Sequence, residues 1–552
     1  MKPPSASETT SASPARTFSL NKTVLWLCVL MVFFGYLRLR MLDLPLERDE
    51  GEYAYSGQLL LEGIPPYKQA YNMKLPGTYA VYAGFMALFG ETARGIHLGL
   101  LLTVLATMVM VFVLARRLFG PVPSLFAAAA YGLFSGSMSV HGLAAHANHF
   151  VVAFALGGVL ALLRAADHRS VWTAFYSGLL FGLAFLMKQH GLIFGLFGAG
   201  WLAWETLLQR PLNPWRIARQ LAAYFTGLGL PFAIICLLLW RAGVFEKFWF
   251  WTFTYAQAYA MGTPFGMQDF LKLSWAAIAE TAPLWGLATA GLSLMFVENK
   301  TRRCSAFVAG FLVFSAAGIF PGFYFRPNYY ILLLPALSLL VAAAIHAGQE
   351  LLANRRPMRH AAHVVAGLAM GLVFVFQWPL FFRLSPEDVS RFAYGENPFP
   401  ESVVIGQYIR ERSSPDAKIA VIGSEPQIYF YARRHSATGY IYTYALMEKH
   451  PYASQMQREM IAEIETARPE YIVMVGIQFS WVVQPESDLQ IFEWFESYFP
   501  QHYKQVGVLD YHSVERQEFR WDEDAEGYAP QAAQYIYIFR RLPEPIEPAK
   551  EN

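Results

Sequence analysis

Some eleven apolar runs, each close to bilayer-spanning length, decide what this chain can become. They lie near residues 24–42, 96–115, 121–140, 149–163, 171–187, 189–208, 220–240, 273–296, 304–322, 329–348 and 361–382. A helix needs roughly 20 apolar residues to cross the hydrocarbon core. In lipid, only helices and closed barrels satisfy every backbone N–H and C=O. The runs therefore predict a mainly α, polytopic transmembrane bundle. Only 15% of the 552 residues are charged, well below the share of about a quarter typical of soluble domains.

Basic residues set the expected orientation, because cytoplasmic loops are enriched in Lys and Arg. With the N-terminus inside, the inner loops carry Arg116-Arg117, Arg164 with Arg169, and Arg210, Arg216 and Arg219. They continue with Lys300, Arg302 and Arg303, then Arg355, Arg356 and Arg359. The alternate loops are poorer in basic residues or balance them with acids. Residues 1–21, rich in Ser, Thr, Pro and Ala, read as a disordered cytoplasmic tail, 22–383 as the membrane domain, and 384–552 as an extracytoplasmic domain. That last part alternates helices (401–412, 426–431, 451–467, 488–499) with strands (418–423, 471–475, 503–511, 534–541), as in a small α/β domain. Its Gly423-Ser424-Glu425-Pro426 lacks the glycines and lysine of a phosphate cradle and reads as an ordinary strand-to-helix turn. Cys28, Cys236 and Cys304 lie in or beside apolar runs and form no metal-type spacing. A net charge of +2 argues against a nucleic-acid partner.

Chemistry concentrates in the first outer loop, 43–75. There Arg48-Asp-Glu-Gly-Glu-Tyr-Ala-Tyr55 places Asp49, Glu50 and Glu52 beside the end of the first span. Ionisable groups at a membrane boundary are costly unless used. One acid suffices to cap the helix that follows, and three are present. Residues 53–61 read as an amphipathic helix lying in the interface. A carboxylate here can take the proton from an attacking hydroxyl, and a departing lipid phosphate needs cations. Lys74 and Arg326, both expected on the outer side, suit that task as a point charge and a bidentate fork. His141, His146 and His149 fit hydrogen bonding, metal binding or proton exchange. Lys188-Gln-His190 ends the fifth span and either touches substrate or marks the interface. The aromatic segment 245–268 reads as an interfacial belt or a sugar-stacking flap.

Together with Gly63-Ile-Pro-Pro-Tyr67, Lys74-Leu-Pro-Gly-Thr-Tyr79, Phe181-Gly-Leu-Ala-Phe-Leu-Met-Lys188 and Arg326-Pro-Asn-Tyr-Tyr-Ile-Leu-Leu-Leu-Pro335, the octet resembles membrane-embedded GT-C glycosyltransferases. The nearest group is that of protein O-mannosyltransferases and aminoarabinose transferases, glycosyltransferase family 39 and its bacterial relatives. The resemblance implies an inverting transfer of sugar from a polyprenyl-phosphate carrier to a lipid, glycan or protein acceptor outside the cytoplasm, in a bacterial inner membrane. It implies Asp49, with Glu50, as the catalytic acids. It places Glu52, Tyr53, Lys74, His146, Asn148, His149, Lys188, Arg326 and Tyr329 around the substrate. Two departures stand out: Met73 where metal-binding relatives carry an acid, and Asn148 where many carry a second one. No metal ligand set is assigned, and a divalent cation is the one cofactor candidate. The rival reading is a transporter or flippase for lipid-linked glycans, whose repeat symmetry and mid-membrane charges are not seen.

Overall fold

The computed structural model describes residues 15–208, 211–261, 266–354, 356–358 and 360–543. Each of the eleven apolar runs coincides with helix. Among the described residues, seven helices are long and apolar enough to cross a membrane: Lys22–Leu39, Ala93–Phe119, Ala147–His168, Gln189–Leu208, Pro214–Arg241, Pro327–Leu352 and Ala361–Phe382. Shorter apolar helices (Gly77–Phe89, Pro121–Ser135, Val171–Met187, Ala282–Val297) fill the bundle. The Pro327–Leu352 segment is the central one, with 89% of its most apolar window buried, whereas Pro214–Arg241 has 17% and faces outward. Leucines and valines exposed on the outward helices, such as Leu237, Leu238, Val365 and Leu368, form the surface expected against lipid.

Three expectations change. Residues 1–14 of the polar tail lie outside the described residues, and 15–21 continue the first helix, Ala15–Leu39. The run at 273–296 is two helices, Met267–Ala279 and Ala282–Val297, because Pro283 occupies the first turn of the second. Residues 53–61 do not form a separate interfacial helix. They belong to Arg48–Leu61, whose faces are buried nearly all round, from Glu50 through Leu59. Amphipathic pattern cannot distinguish lipid from protein as the covering layer, and here the cover is protein.

The covering layer is the C-terminal domain. Its mixed six-stranded sheet contains β1 (Lys418–Ile422), β2 (His435–Ser436), β3 (Tyr471–Gly476), β4 (Tyr503–Ser513), β5 (Arg516–Trp521) and β6 (Gln534–Arg541) in the order β2-β1-β3-β6-β4-β5. β1 pairs in parallel with β2 and β3; the remaining pairs are antiparallel. The apolar runs of β1 and β3 are buried on both faces, as helix-covered parallel strands should be. β2, β5 and the helix Pro386–Tyr394 are additions to the sequence reading; β2 is two residues long, too short to leave a pattern. Helix Gln427–Ala432 lies directly on Arg48–Leu61. A Cβ built on Gly51 would come within 2.5 Å of the Gln427 backbone nitrogen, so only glycine admits this approach.

Candidate active site

The first turn of Arg48–Leu61 divides its acids between structure and chemistry. Glu47 is the N-cap and accepts from the Glu50 N–H at 2.9 Å, while Glu50 Oε2 accepts from the Glu47 N–H at 3.3 Å, a reciprocal capping box. The other Glu50 oxygen accepts from the Ala145 N–H at 2.6 Å and meets His97 Nε2 at 3.0 Å. Glu50 has no exposed surface. Both of its oxygens are occupied, and it ties the helix start to the 138–146 loop.

Asp49 and Glu52 converge on Lys74. The ammonium donates to Asp49 Oδ1 at 2.7 Å and to Glu52 Oε2 at 2.6 Å, and stands 4.7 Å from the centre of the Tyr53 ring. Glu52 Oε1 accepts from the Tyr79 hydroxyl at 2.7 Å. Burial pushes the Asp49 carboxyl up, but the Lys74 ammonium, helped by His146, overrides it and holds the group well below the ordinary carboxylate range. Burial wins at Glu52, whose carboxyl is raised despite the same lysine. Lys74, expected beside the phosphate, is paired here with two carboxylates. Asp49 keeps 27% of its side chain exposed, and no hydrogen bond is made by its Oδ2 among the described residues.

A second cluster faces Asp49. Lys188 is the C-cap residue of helix Val171–Met187, its backbone N–H donating to the Ala184 carbonyl; its ammonium lies 4.1 Å from the centre of the Tyr329 ring, and the Arg326 guanidinium 5.5 Å from that of Tyr324. Neither cation has a carboxylate partner among the described residues. Burial drags the Lys188 ammonium down to about 7, against the pull of Asp49. Arg326 stays a cation: burial opposes its charge, but Tyr259 and Tyr329 favour it. Asn148 donates to the Asn328 carbonyl at 2.5 Å, and Asn328 Nδ2 lies 3.0 Å from His146 Nδ1. His146 Nε2, Asn148 Oδ1 and Asn328 Oδ1 are buried without a hydrogen-bond partner. Unpaired buried polar atoms are costly, so their gathering here marks a place completed by something else. His149, a turn beyond His146, is buried in the same wall. Burial keeps the His146 imidazole neutral, lowered to about 4.

Glu47, Asp49 and His146 each present a ligand atom within 4.8 Å of the others. Two oxygens and an imidazole suit a divalent cation, which would compete with Lys74 for Asp49. Glu47 lies just outside the octet and was not singled out from sequence.

With this geometry in view, known proteins supply the frame. Residues 74–240, under a third of the chain, match the family model described as dolichyl-phosphate-mannose-protein mannosyltransferase. No curated protein sequence matches the chain. The crystal structure of ArnT from Cupriavidus metallidurans bound to undecaprenyl phosphate superimposes with a TM-score of 0.57 at 16% identity, covering 94% of this chain and 98% of that one. Its apo state gives 0.55 at 17% identity over the same shares. The Archaeoglobus fulgidus oligosaccharyltransferase tethered with an acceptor peptide gives 0.50 at 14% identity, over 90% of this chain and 74% of that one. The chain has the GT-C fold. It is a multi-pass membrane protein, a helical bundle bearing a C-terminal sheet domain.

In this GT-C chain the family-model match begins at Lys74, so Asp49 and its helix lie outside it. The helix is completed instead by the C-terminal domain. Arg48 forms a buried ion pair with Glu425 at 2.5 Å and donates to the Ser424 carbonyl, to the Tyr444 hydroxyl at 3.0 Å and to Asn397 Oδ1 at 3.0 Å. Gly423-Ser424-Glu425-Pro426 is thus a turn, as expected, and also the dock for Arg48. The aromatic segment 245–268 packs inward: Trp251 stacks on Tyr71 at 5.9 Å and lies 5.9 Å from Tyr440, and 262–265 lie outside the described residues. Arg48, Glu425 and Tyr442 were missed as site residues because their partners are hundreds of positions away, beyond any spacing rule.

Proposed function

We propose that this protein is a glycosyltransferase that moves a sugar from a polyprenyl-phosphate carrier to an acceptor hydroxyl at the non-cytoplasmic face of a bacterial inner membrane. One observation carries the reading: a carboxylate with an open oxygen, Asp49, faces two cations, Lys188 and Arg326, that have no carboxylate of their own. Lys188 is half-buried and Arg326 exposed, so both charges are accessible to an anionic ligand that would pair with them. The lipid phosphate of a polyprenyl carrier supplies such an anion, and the GT-C fold together with undecaprenyl phosphate bound by ArnT supports this choice.

In this reading Asp49 Oδ2 accepts the proton of the acceptor hydroxyl as its oxygen attacks the anomeric carbon. The bond from that carbon to the phosphate oxygen breaks on the opposite side, so the configuration inverts. The electron pair leaves with the phosphate, whose charge Lys188 and Arg326 stabilise. Lys74 and Glu52 hold Asp49 in place, and the Lys74 ammonium keeps it ionised at neutral pH. A polyprenyl-phosphate sugar should co-purify with the full chain and be identified by its mass. With that donor, Asp49→Asn should lower transfer by roughly 100-fold or more, the scale of general-base catalysis, at unchanged protein level. Transfer at the wild-type rate would remove Asp49 from the mechanism. Movement of the intact lipid-linked sugar across vesicles, with no new glycosidic bond, would replace transfer by transport.

A further inference from the structure

The C-terminal domain does more than cover the catalytic helix. Its segment from Gly439 to Tyr444 reaches into the space between Asp49 and Arg326. Tyr444 is fully committed there: its hydroxyl accepts from Arg48 and donates to the Phe479 carbonyl at 2.6 Å. Tyr442 is different. It is partly exposed, its ring packs edge-on against Tyr444 at 4.9 Å and 89°, and the Lys74 ammonium lies 5.5 Å from its centre. Among the described residues its hydroxyl has a single hydrogen bond, to Asp49 Oδ1 at 3.5 Å, the outer limit of a hydrogen bond and on an oxygen already held by Lys74. Arg326 lies within electrostatic reach of both tyrosines.

We propose that Tyr442 is a wall of the phosphate site contributed by the C-terminal domain, its hydroxyl donating to the phosphate that Lys188 and Arg326 hold. The inference rests on the function proposed above and deepens it. A phosphate presents several acceptor oxygens to two cations, and the Tyr442 hydroxyl, held only by a long contact to Asp49 among the described residues, is a neutral donor available on the domain side. The position of that ring is set in sequence: Glu425 holds Arg48, Arg48 holds Tyr444, and Tyr444 packs against the Tyr442 ring. Lys74 and Asp49, the neighbouring charged pair, neutralise one another and leave the hydroxyl free to turn.

The test is binding of undecaprenyl phosphate to the full chain in nanodiscs, with inorganic phosphate as the headgroup-only arm. Tyr442→Phe should weaken undecaprenyl phosphate by about tenfold, the scale of a hydrogen bond to a charged group, with an unchanged melting temperature in the absence of ligand. Glu425→Gln should weaken it as well, because the ring loses its alignment. Inorganic phosphate should bind far more weakly than the lipid yet show the same dependence on Tyr442. Wild-type affinity in Tyr442→Phe, at normal stability, overturns the assignment while leaving the glycosyltransferase reading intact. If the wild-type protein binds no undecaprenyl phosphate, that reading fails and this one with it. Should Tyr442→Phe lower the ligand-free melting temperature, Tyr442→Trp, which retains an aromatic ring and moves its donor, decides: affinity equal to wild type overturns the role of the hydroxyl.

Discussion

Two poles of one site treat charge in opposite ways. Around the first turn of Arg48–Leu61, each charged group has its counterpart: Arg48 with Glu425, Lys74 with Asp49 and Glu52. Across from it, Lys188 and Arg326 have aromatic rings for neighbours and form no salt bridge with a carboxylate among the described residues. The first pole is held together by its own charges. The second keeps its charges half-buried at Lys188 and exposed at Arg326, where an anion can reach them. The contrast separates residues that build the site from residues that wait for substrate, and stability measurements can tell them apart.

The sharpest break is at Glu425. Glu425→Ala strands the Arg48 guanidinium under the C-terminal domain, and removing one partner of a buried pair costs about 3–5 kcal/mol. The melting temperature should fall, and amide exchange in Arg48–Leu61 should quicken. Lys188→Met should do the reverse. It deletes a half-buried charge that has no carboxylate partner among the described residues, so stability should hold while undecaprenyl phosphate binding drops by about tenfold or more, the scale of a charged hydrogen bond. If Lys188→Met destabilises as Glu425→Ala does, the two poles are alike and the distinction fails.

The smallest effect is in pH. Between pH of about 7, the native value for Lys188, and the ordinary lysine range, the unfolded chain keeps a proton that the native chain has lost. Stability of the ligand-free protein should therefore rise with pH through that window. Affinity for undecaprenyl phosphate should fall over the same window, as the ammonium loses its charge. Lys188→Arg, which keeps its charge, should flatten both trends. Parallel rather than opposed trends would place the titration on another group.

What the sequence discloses follows from the range of the forces involved. The apolar runs are legible because bilayer thickness acts on contiguous residues, and all coincide with helix. β1 and β3 are legible as short apolar runs. The octet announces itself because three carboxylates at a membrane edge are improbable as solvated surface. Which acid does what was not legible. Glu50 and Asp49 are adjacent, yet one is locked against His97 and Ala145 and the other opens toward Lys188, a difference set by contacts 47 to 95 positions away in the first case. Lys74 and Arg326 both read as phosphate ligands; the partners of Lys74, 22 and 25 residues back along the chain, separate them. Helix Arg48–Leu61 was assigned to the lipid surface because its cover comes from residues beyond 420.

That cover has a consequence for how the molecule comes into being. The partner of Arg48 is 377 positions further along the chain, so synthesis runs almost to completion before the first turn of the helix can acquire its buried ion pair. A nascent chain with every membrane helix already inserted still lacks the lid over Gly51 and the hydroxyl beside Asp49. The reactive centre matures last, once the final quarter of the polypeptide has folded onto a segment made near the beginning.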